Sequence, residues 1–208
     1  MTHHRRRNNG IDPSKINETV ELSPAQRYAA FKQTQAKQRT VAAEFARSMP
    51  FELDEFQMQA NDALEAGDNV LVAAPTGAGK TVAADFAIYL AQTRNVKAFY
   101  TTPIKALSNQ KYHDLVDQYG TDKVGLLTGD TSINSEADIV VMTTEVLRNM
   151  LYEHSVTLEA LRYVILDEVH YLADRFRGPV WEEVIIHLPK NVNIIGLSAT
   201  VDRKSTRL

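Results

Sequence analysis

From Phe51 onward, short apolar runs alternate with longer segments in which apolar residues recur every three or four positions. The runs are apolar almost throughout instead of at every second residue, the pattern of strands buried on both faces. They predict strands over Asn69–Ala74, Lys97–Thr101, Lys123–Thr128, Asp138–Thr143, Arg162–Asp167 and Asn193–Ser198. The segments between them predict helices over Glu55–Ala66, Gly79–Gln92, Ile104–Tyr119, Glu145–Glu153 and Pro179–Leu188. Buried strands alternating with helices make an α/β domain: a doubly wound, mostly parallel sheet with helices on both faces. Its ligands are expected in the loops at the carboxyl ends of the strands.

The first fifty residues read differently. Residues 1–20 are polar and basic (His3, His4, Arg5, Arg6, Arg7, Asn8, Asn9, Gly10), a composition too poor in apolar groups to pack, and are expected to form a disordered tail. Residues 21–50 predict a helical segment. Ser23 serves as N-cap, Pro24 as first helical residue and Gln26 as closer of a capping box, and the helix runs to about Met49 before Pro50 stops it. Residues 1–50 hold 9 of the 23 basic and 4 of the 26 acidic residues. The net charge of −3 therefore hides an acidic body. That body lacks the overall basic field of a simple nucleic-acid binder, so any such contact must be local. The absence of cysteine excludes a disulfide framework and a thiolate metal site. No apolar run approaches a membrane span, and the N-terminus has no apolar signal core; a cytoplasmic protein is expected.

Two segments carry chemistry. Ala74-Pro75-Thr76-Gly77-Ala78-Gly79-Lys80-Thr81 falls between a predicted strand and a predicted helix, the setting of a phosphate-binding loop. Gly77 and Gly79 let backbone N–H groups turn toward a phosphate, and the following helix adds its positive end. Lys80 can reach β- and γ-phosphate oxygens, and the Thr81 hydroxyl can ligate Mg²⁺. The generic pattern has Gly where this chain has Ala74. The second segment is Asp167-Glu168-Val169-His170, at the end of an apolar strand. Asp167 is placed to hold Mg²⁺ through bound water, and Glu168 to deprotonate an attacking water. Together the two halves point to hydrolysis of a nucleoside triphosphate by a P-loop NTPase domain.

Asp167-Glu168-Val169-His170 also resembles motif II of superfamily 2 DExH-box helicases in its DEVH form, and the other motifs of a first RecA-like domain follow in order. Phe51-Glu52-Leu53-Asp54-Glu55-Phe56-Gln57 resembles the Q-motif region, and Thr101-Thr102-Pro103-Ile104-Lys105-Ala106-Leu107-Ser108-Asn109-Gln110 resembles motif Ia. Leu127-Thr128-Gly129-Asp130 and Val141-Met142-Thr143-Thr144-Glu145 resemble the next two strand-contact segments, and Leu197-Ser198-Ala199-Thr200 resembles motif III. Arg177-Gly178-Pro179-Val180-Trp181-Glu182-Glu183 is similar to the superkiller-type RNA helicases that feed RNA-degrading machinery, and the N-terminal segment resembles actinobacterial members of that group. The resemblance covers Phe51–Val201. It implies ATP and Mg²⁺ as cofactors, with Phe51 packing on the adenine and Gln57 reading its edge. It implies a catalytic set of Lys80, Asp167, Glu168 and His170, with His170 coupling nucleotide to a second domain. Thr102, Lys105, Gly129, Asp130 and Thr144 would contact the backbone of single-stranded nucleic acid, RNA first. Ser198 and Thr200 would link the ATP site to strand movement. The alternatives are a DNA helicase of the same superfamily, or a P-loop ATPase switch that does not handle nucleic acid.

A helicase of this kind needs a second RecA-like domain, for which the chain has no room after motif III. Asp202-Arg203-Lys204-Ser205-Thr206-Arg207-Leu208 breaks the α/β pattern, and its codons can be written as a sequencing-library adapter. Residues 202–208 are expected to be a non-native tail, with residues 51–201 forming the ATP-binding domain. His113, His154 and His187 have no metal-ligand spacing, and Trp181 reads as core.

Overall fold

The computed structural model describes Ser23 and residues 39–199. The expected tail at residues 1–20, the helix start at Pro24–Gln26, Thr200 and the segment 202–208 lie outside the described residues. Among the described residues no helix is long and apolar enough to cross a membrane.

The described elements are α1 (Val41–Ser48), α2 (Glu55–Ala66), β1 (Val70–Ala73), α3 (Thr81–Arg94), β2 (Lys97–Thr102), α4 (Lys105–Tyr119), β3 (Val124–Thr128), β4 (Thr131–Ile133), β5 (Ile139–Thr143), α5 (Thr144–Tyr152), β6 (Leu161–Leu166), α6 (Gly178–His187) and β7 (Asn193–Ser198). Short 3₁₀ turns occupy Val156–Leu158 and Val169–Ala173. All six expected strands are present, in a seven-stranded sheet of order β1-β7-β6-β2-β5-β3-β4. Every pairing is parallel except that of β3 with β4.

The near-continuous apolar runs have the expected cause. In β2, Ala98 and Tyr100 join one core and Phe99 the other; in β6, Tyr163 and Ile165 face the first and Val164 and Leu166 the second. Helices α1 to α4 cover the first face, and α5 and α6 the second, where Trp181 is fully buried as expected. At about 1.5–3 kcal/mol per buried large apolar side chain, this two-sided burial is the main force holding the strands in register.

The structure differs from expectation in two places. The expected single helix from Ser23 to Met49 does not run through Thr40, which is extended (φ −75°, ψ 155°) and is the N-cap of α1. The Thr40 hydroxyl accepts from Ala43 N at 3.1 Å, and the Glu65 carboxylate accepts from Val41 N and Ala42 N at 2.9 and 2.7 Å. Phe45 then packs on Phe86 and Tyr89, with ring centroids 5.2 and 5.4 Å away. The second difference is β4, an added strand of three residues, Thr131, Ser132 and Ile133, too short and too exposed for a hydrophobic pattern to mark. It folds back on β3 because Gly125 admits the Asn134 carbonyl where a Cβ would lie 2.1 Å from it.

Candidate ATP site and the loops beside it

The parallel strands deliver their following loops to one edge. The loop after β1 is the phosphate loop. Gly77 (φ 86°) and Gly79 (φ 73°) take left-handed conformations, which a side chain would strain. A Cβ on Gly79 would also lie 2.5 Å from Gln57 Nε2. The loop runs into α3, a 14-residue helix whose N-terminal N–H groups are the anion-binding end. Lys80 Nζ donates to the carbonyls of Ala74 (2.8 Å) and Pro75 (3.2 Å), so the ammonium folds over its own loop. The Thr81 side of α3 is exposed.

Gln57 is buried, its amide oxygen accepting from Asp54 N at 2.8 Å and its amide nitrogen donating to Gly79 O at 3.0 Å. One residue thereby closes the first turn of α2 and pins the phosphate loop, and both ends of the amide are used within the chain. Phe51 is half exposed and lines an open groove of about 700 Å³ with Arg47, Met49, Pro50, Glu52 and Met58.

Asp167 directly follows β6, two strand spacings (roughly 10 Å) from β1 across β7. Its N–H continues the ladder to Thr101 O at 3.0 Å. One carboxylate oxygen accepts from Glu168 N at 2.9 Å, the other from the Tyr100 hydroxyl at 2.7 Å. Burial first, and then the Asp167 charge and hydrogen bond, hold the Tyr100 hydroxyl protonated well above the ordinary tyrosine range. Glu168 sits at φ 58°, a conformation that costs a non-glycine residue on the order of 1–3 kcal/mol. Its carboxylate Oε2 lies 3.1 Å from His170 Nδ1, at ion-pair distance without hydrogen-bond alignment. His170 also packs on Tyr171, and the Arg177 guanidinium lies 5.2 Å over the Tyr171 ring. Asp167 and Thr81 supply hard oxygen donors of the kind a divalent cation takes. Ser198 O accepts from Ala74 N at 3.2 Å, tying β7 to the start of the phosphate loop, and Ser198 Oγ donates to Ala199 O.

The loops after β2, β3 and β5 lie at the same edge. Thr102 and Thr144 are each 1% exposed. The Thr102 hydroxyl pairs with Ser108 Oγ (2.7 Å) and Ile104 O (3.0 Å), and the Thr144 hydroxyl donates to Thr102 O (3.3 Å). These two side chains hold the loops to one another and are withheld from a ligand. Lys105 and Asp130 are exposed and paired, Nζ to Oδ1 at 2.6 Å, with Thr128 donating to the same carboxylate oxygen. The hydrogen bonds from Lys105 and Thr128 hold the Asp130 carboxyl below the usual carboxylate range. Gly129 has open space around it.

Sequence reasoning missed Tyr100. The available signal was a tyrosine inside an otherwise apolar central strand, where a buried hydroxyl must find a partner.

The DEAD/DEAH box helicase family profile matches residues 54–208. A probable helicase, HelY, of Mycobacterium tuberculosis is 62% identical over 157 residues, which are 76% of this chain and 17% of that protein. The antiviral helicase SKI2 of Saccharomyces cerevisiae is 54% identical over 156 residues, 75% of this chain and 12% of that protein. Among solved structures, Mycobacterium smegmatis helicase Lhr bound to ssDNA and AMP-PNP superposes with a TM-score of 0.56 at 32% identity, covering 72% of this chain and 23% of that one. The chain spans less than a fifth of the length of these curated relatives. They agree with the resemblance to superkiller-type helicases and with a RecA-like architecture. Matched over far more than half its residues, the chain belongs to the DEAD/DEAH box helicase family.

Proposed function

We propose that this chain is the ATP-binding RecA-like domain of an ATP-dependent helicase that moves along single-stranded RNA. The observation that carries this reading is the convergence of Lys80, Asp167 and Glu168 on one sheet edge. There a phosphate loop and a polarised acidic turn sit two strands apart, and Gln57 bridges the loop to α2.

In this reading Lys80 leaves the carbonyls of Ala74 and Pro75 for phosphate oxygens, which satisfy its ammonium better because they are charged. The backbone N–H groups around Gly77 to Thr81 hold the β-phosphate. Phe51 and Gln57 receive the adenine, Gln57 exchanging its internal hydrogen bonds for the base edge. Thr81 and Asp167 offer few but hard oxygen donors, which fits Mg²⁺, an ion held by one or two side chains together with phosphates and water. Bound there, Mg²⁺ would neutralise charge on the phosphates. Glu168 takes the proton of the attacking water, and His170, beside it, carries the state of the site toward a second domain. Ser198 and Thr200 connect that change to the strand side.

The RNA assignment rests on the likeness to SKI2 and on the superkiller-type segment around Trp181. A DNA substrate is the second reading, favoured by the single-stranded DNA in the Lhr structure. The loops that face the strand hold backbone and sugar–phosphate groups without reading bases.

Titration of the 208-residue chain with a fluorescent ATP analogue in Mg²⁺ tests the nucleotide site. Lys80→Ala should weaken binding roughly 10- to 100-fold, the cost of losing hydrogen bonds to a charged group. Unchanged affinity would remove the phosphate-loop assignment. In a protein carrying both RecA-like domains, single-stranded RNA should stimulate ATP turnover more than single-stranded DNA; the reverse order would favour the DNA reading.

A further inference from the structure

Tyr100 belongs to none of the segments to which the sequence assigns chemistry, yet its hydroxyl is the one side-chain group donating to Asp167 among the described residues. β2 lies between β5 and β6, and the register sets Tyr100 beside Ile165, so that Asp167 follows two residues beyond its strand partner. The ring is 1% exposed within the α3 face of the core. Lys111 Nζ of α4 lies 4.9 Å from the ring centroid and 3.9 Å from Asp85 Oδ1 of α3, so the ring is held from both flanking helices. Packing thus fixes where the hydroxyl points, and it points at Asp167 Oδ2.

Three bonds then determine the posture of Asp167. Its N–H is bonded to Thr101 O, Oδ1 accepts from Glu168 N, and Oδ2 accepts from Tyr100. The bond to Glu168 N also steadies the left-handed turn that carries Glu168. Any core carbonyl would satisfy a buried tyrosine hydroxyl. Spending it on an acid at the carboxyl edge restricts the carboxylate to one rotation and decides which lone pairs remain for a ligand.

We propose that Tyr100 is a positioning residue for the Mg²⁺–nucleotide site, acting through Asp167 and, by way of the Glu168 N–H, on the turn that carries Glu168. The inference rests on the nucleotide reading given above. Outer partners of metal-binding side chains typically change affinity 10- to 100-fold, and the hydroxyl is expected to contribute at the lower end, about tenfold.

The test uses the 208-residue chain, a fluorescent ADP analogue, and titrations in Mg²⁺ and in EDTA, with thermal melting followed in parallel. Tyr100→Phe keeps the ring and removes the hydroxyl. It should weaken binding about tenfold in Mg²⁺ and leave binding in EDTA unchanged. In an Asp167→Asn background it should have no further effect, because the carboxylate it positions is gone. Three results would overturn the positioning role: unchanged Mg²⁺-dependent affinity in Tyr100→Phe while Asp167→Asn loses it; equal weakening in Mg²⁺ and EDTA; or a Tyr100→Phe chain that does not fold, which would make the hydroxyl purely structural. If the unsubstituted chain binds no nucleotide, or Asp167→Asn binds with unchanged Mg²⁺ dependence, the nucleotide reading itself fails and this inference falls with it.

Discussion

The two halves of the sheet's carboxyl edge spend their polar groups in opposite ways. On the β1-β7-β6 half, polar side chains are held at one end and left available at the other. Lys80 rests on two carbonyls that a phosphate can replace, and Glu168 stands on a left-handed turn beside His170. On the β2-β5-β3 half, the hydroxyls of Thr102, Ser108 and Thr144 are buried and bonded to one another or to backbone, while Lys105 and Asp130 neutralise each other at the surface. Reacting groups need side chains that can change partners. Holding a strand of any sequence needs loops fixed relative to each other, presenting backbone and helix N-termini. On the function proposed above, the difference is that between a site that does chemistry and a platform that keeps its shape.

The largest expected effect tests the first half. In a protein carrying both RecA-like domains, Glu168→Gln should keep nucleotide affinity and lower ATP turnover by about 10²–10⁴, the usual contribution of a general base. Steady-state ATPase rates together with analogue binding check it, and near-normal turnover would move the proton acceptor elsewhere. The next effect tests the second half. Thr102→Val leaves the Ser108 hydroxyl without its partner in a buried site, at a cost of ~1–3 kcal/mol. At about 2–4 °C per kcal/mol for a domain of this size, the melting temperature should fall by several degrees while nucleotide affinity holds. A stable Thr102→Val chain with impaired RNA binding would reverse the assignment and make this hydroxyl a contact.

How legible this division was in the sequence differs between the halves. The strands and the phosphate loop were readable because burial on both faces and phosphate binding each constrain consecutive residues. Val164-Ile165-Leu166 and Gly77-Ala78-Gly79-Lys80-Thr81 state their surroundings locally. The platform was harder, since whether Thr102 faces a ligand or Ser108 depends on how a loop closes, and both threonine readings share the same motif. Thr131–Ile133 offers a single exposed apolar residue, Ile133, too little to mark β4, and the start of α1 after Thr40 depends on Glu65, 24 residues away from Val41. Tyr100 was visible as a buried phenol, but its partner lies 67 residues on and becomes adjacent only through the pairing of β2 with β6.

A smaller effect sharpens the comparison at the platform's surface. If the Lys105–Asp130 pair holds the cation back from a strand, the two substitutions should act in opposite directions. Asp130→Asn frees Lys105 and should strengthen single-stranded RNA binding. Lys105→Ala should weaken it and lower the salt dependence by about one counterion. Binding isotherms across a salt series check both. Equal weakening by the two variants would mean that the pair matters as a brace and not as a gate on the charge.

The smallest effect concerns Asp85 of α3, where the two halves meet behind the edge. Its side chain is 27% exposed, with Lys111, Asp114 and Tyr119 of α4 and Tyr100 of β2 as its ionisable neighbours. Burial raises its carboxyl above the ordinary value; Lys111 opposes this and Asp114 adds to it. Burial and the Asp85 charge likewise push the Tyr119 hydroxyl up to about 12. A carboxyl with a raised value in the folded chain binds more protons there than in the unfolded chain. Its contribution to stability is therefore complete below the unfolded value of about 3.9 and is lost as pH rises through the folded value. At neutral pH the ionised Asp85 is a net cost that Lys111 only partly offsets. Asp85→Asn, which cannot ionise, should thus melt slightly above the unsubstituted chain at pH 7. The gap should shrink to nothing as pH falls below about 4, where both chains are neutral at this position. Melting curves across that range check the sign. A variant that melts lower at pH 7 would show that the attraction to Lys111 outweighs burial, and that the Asp85–Lys111 contact is a true brace under Tyr100.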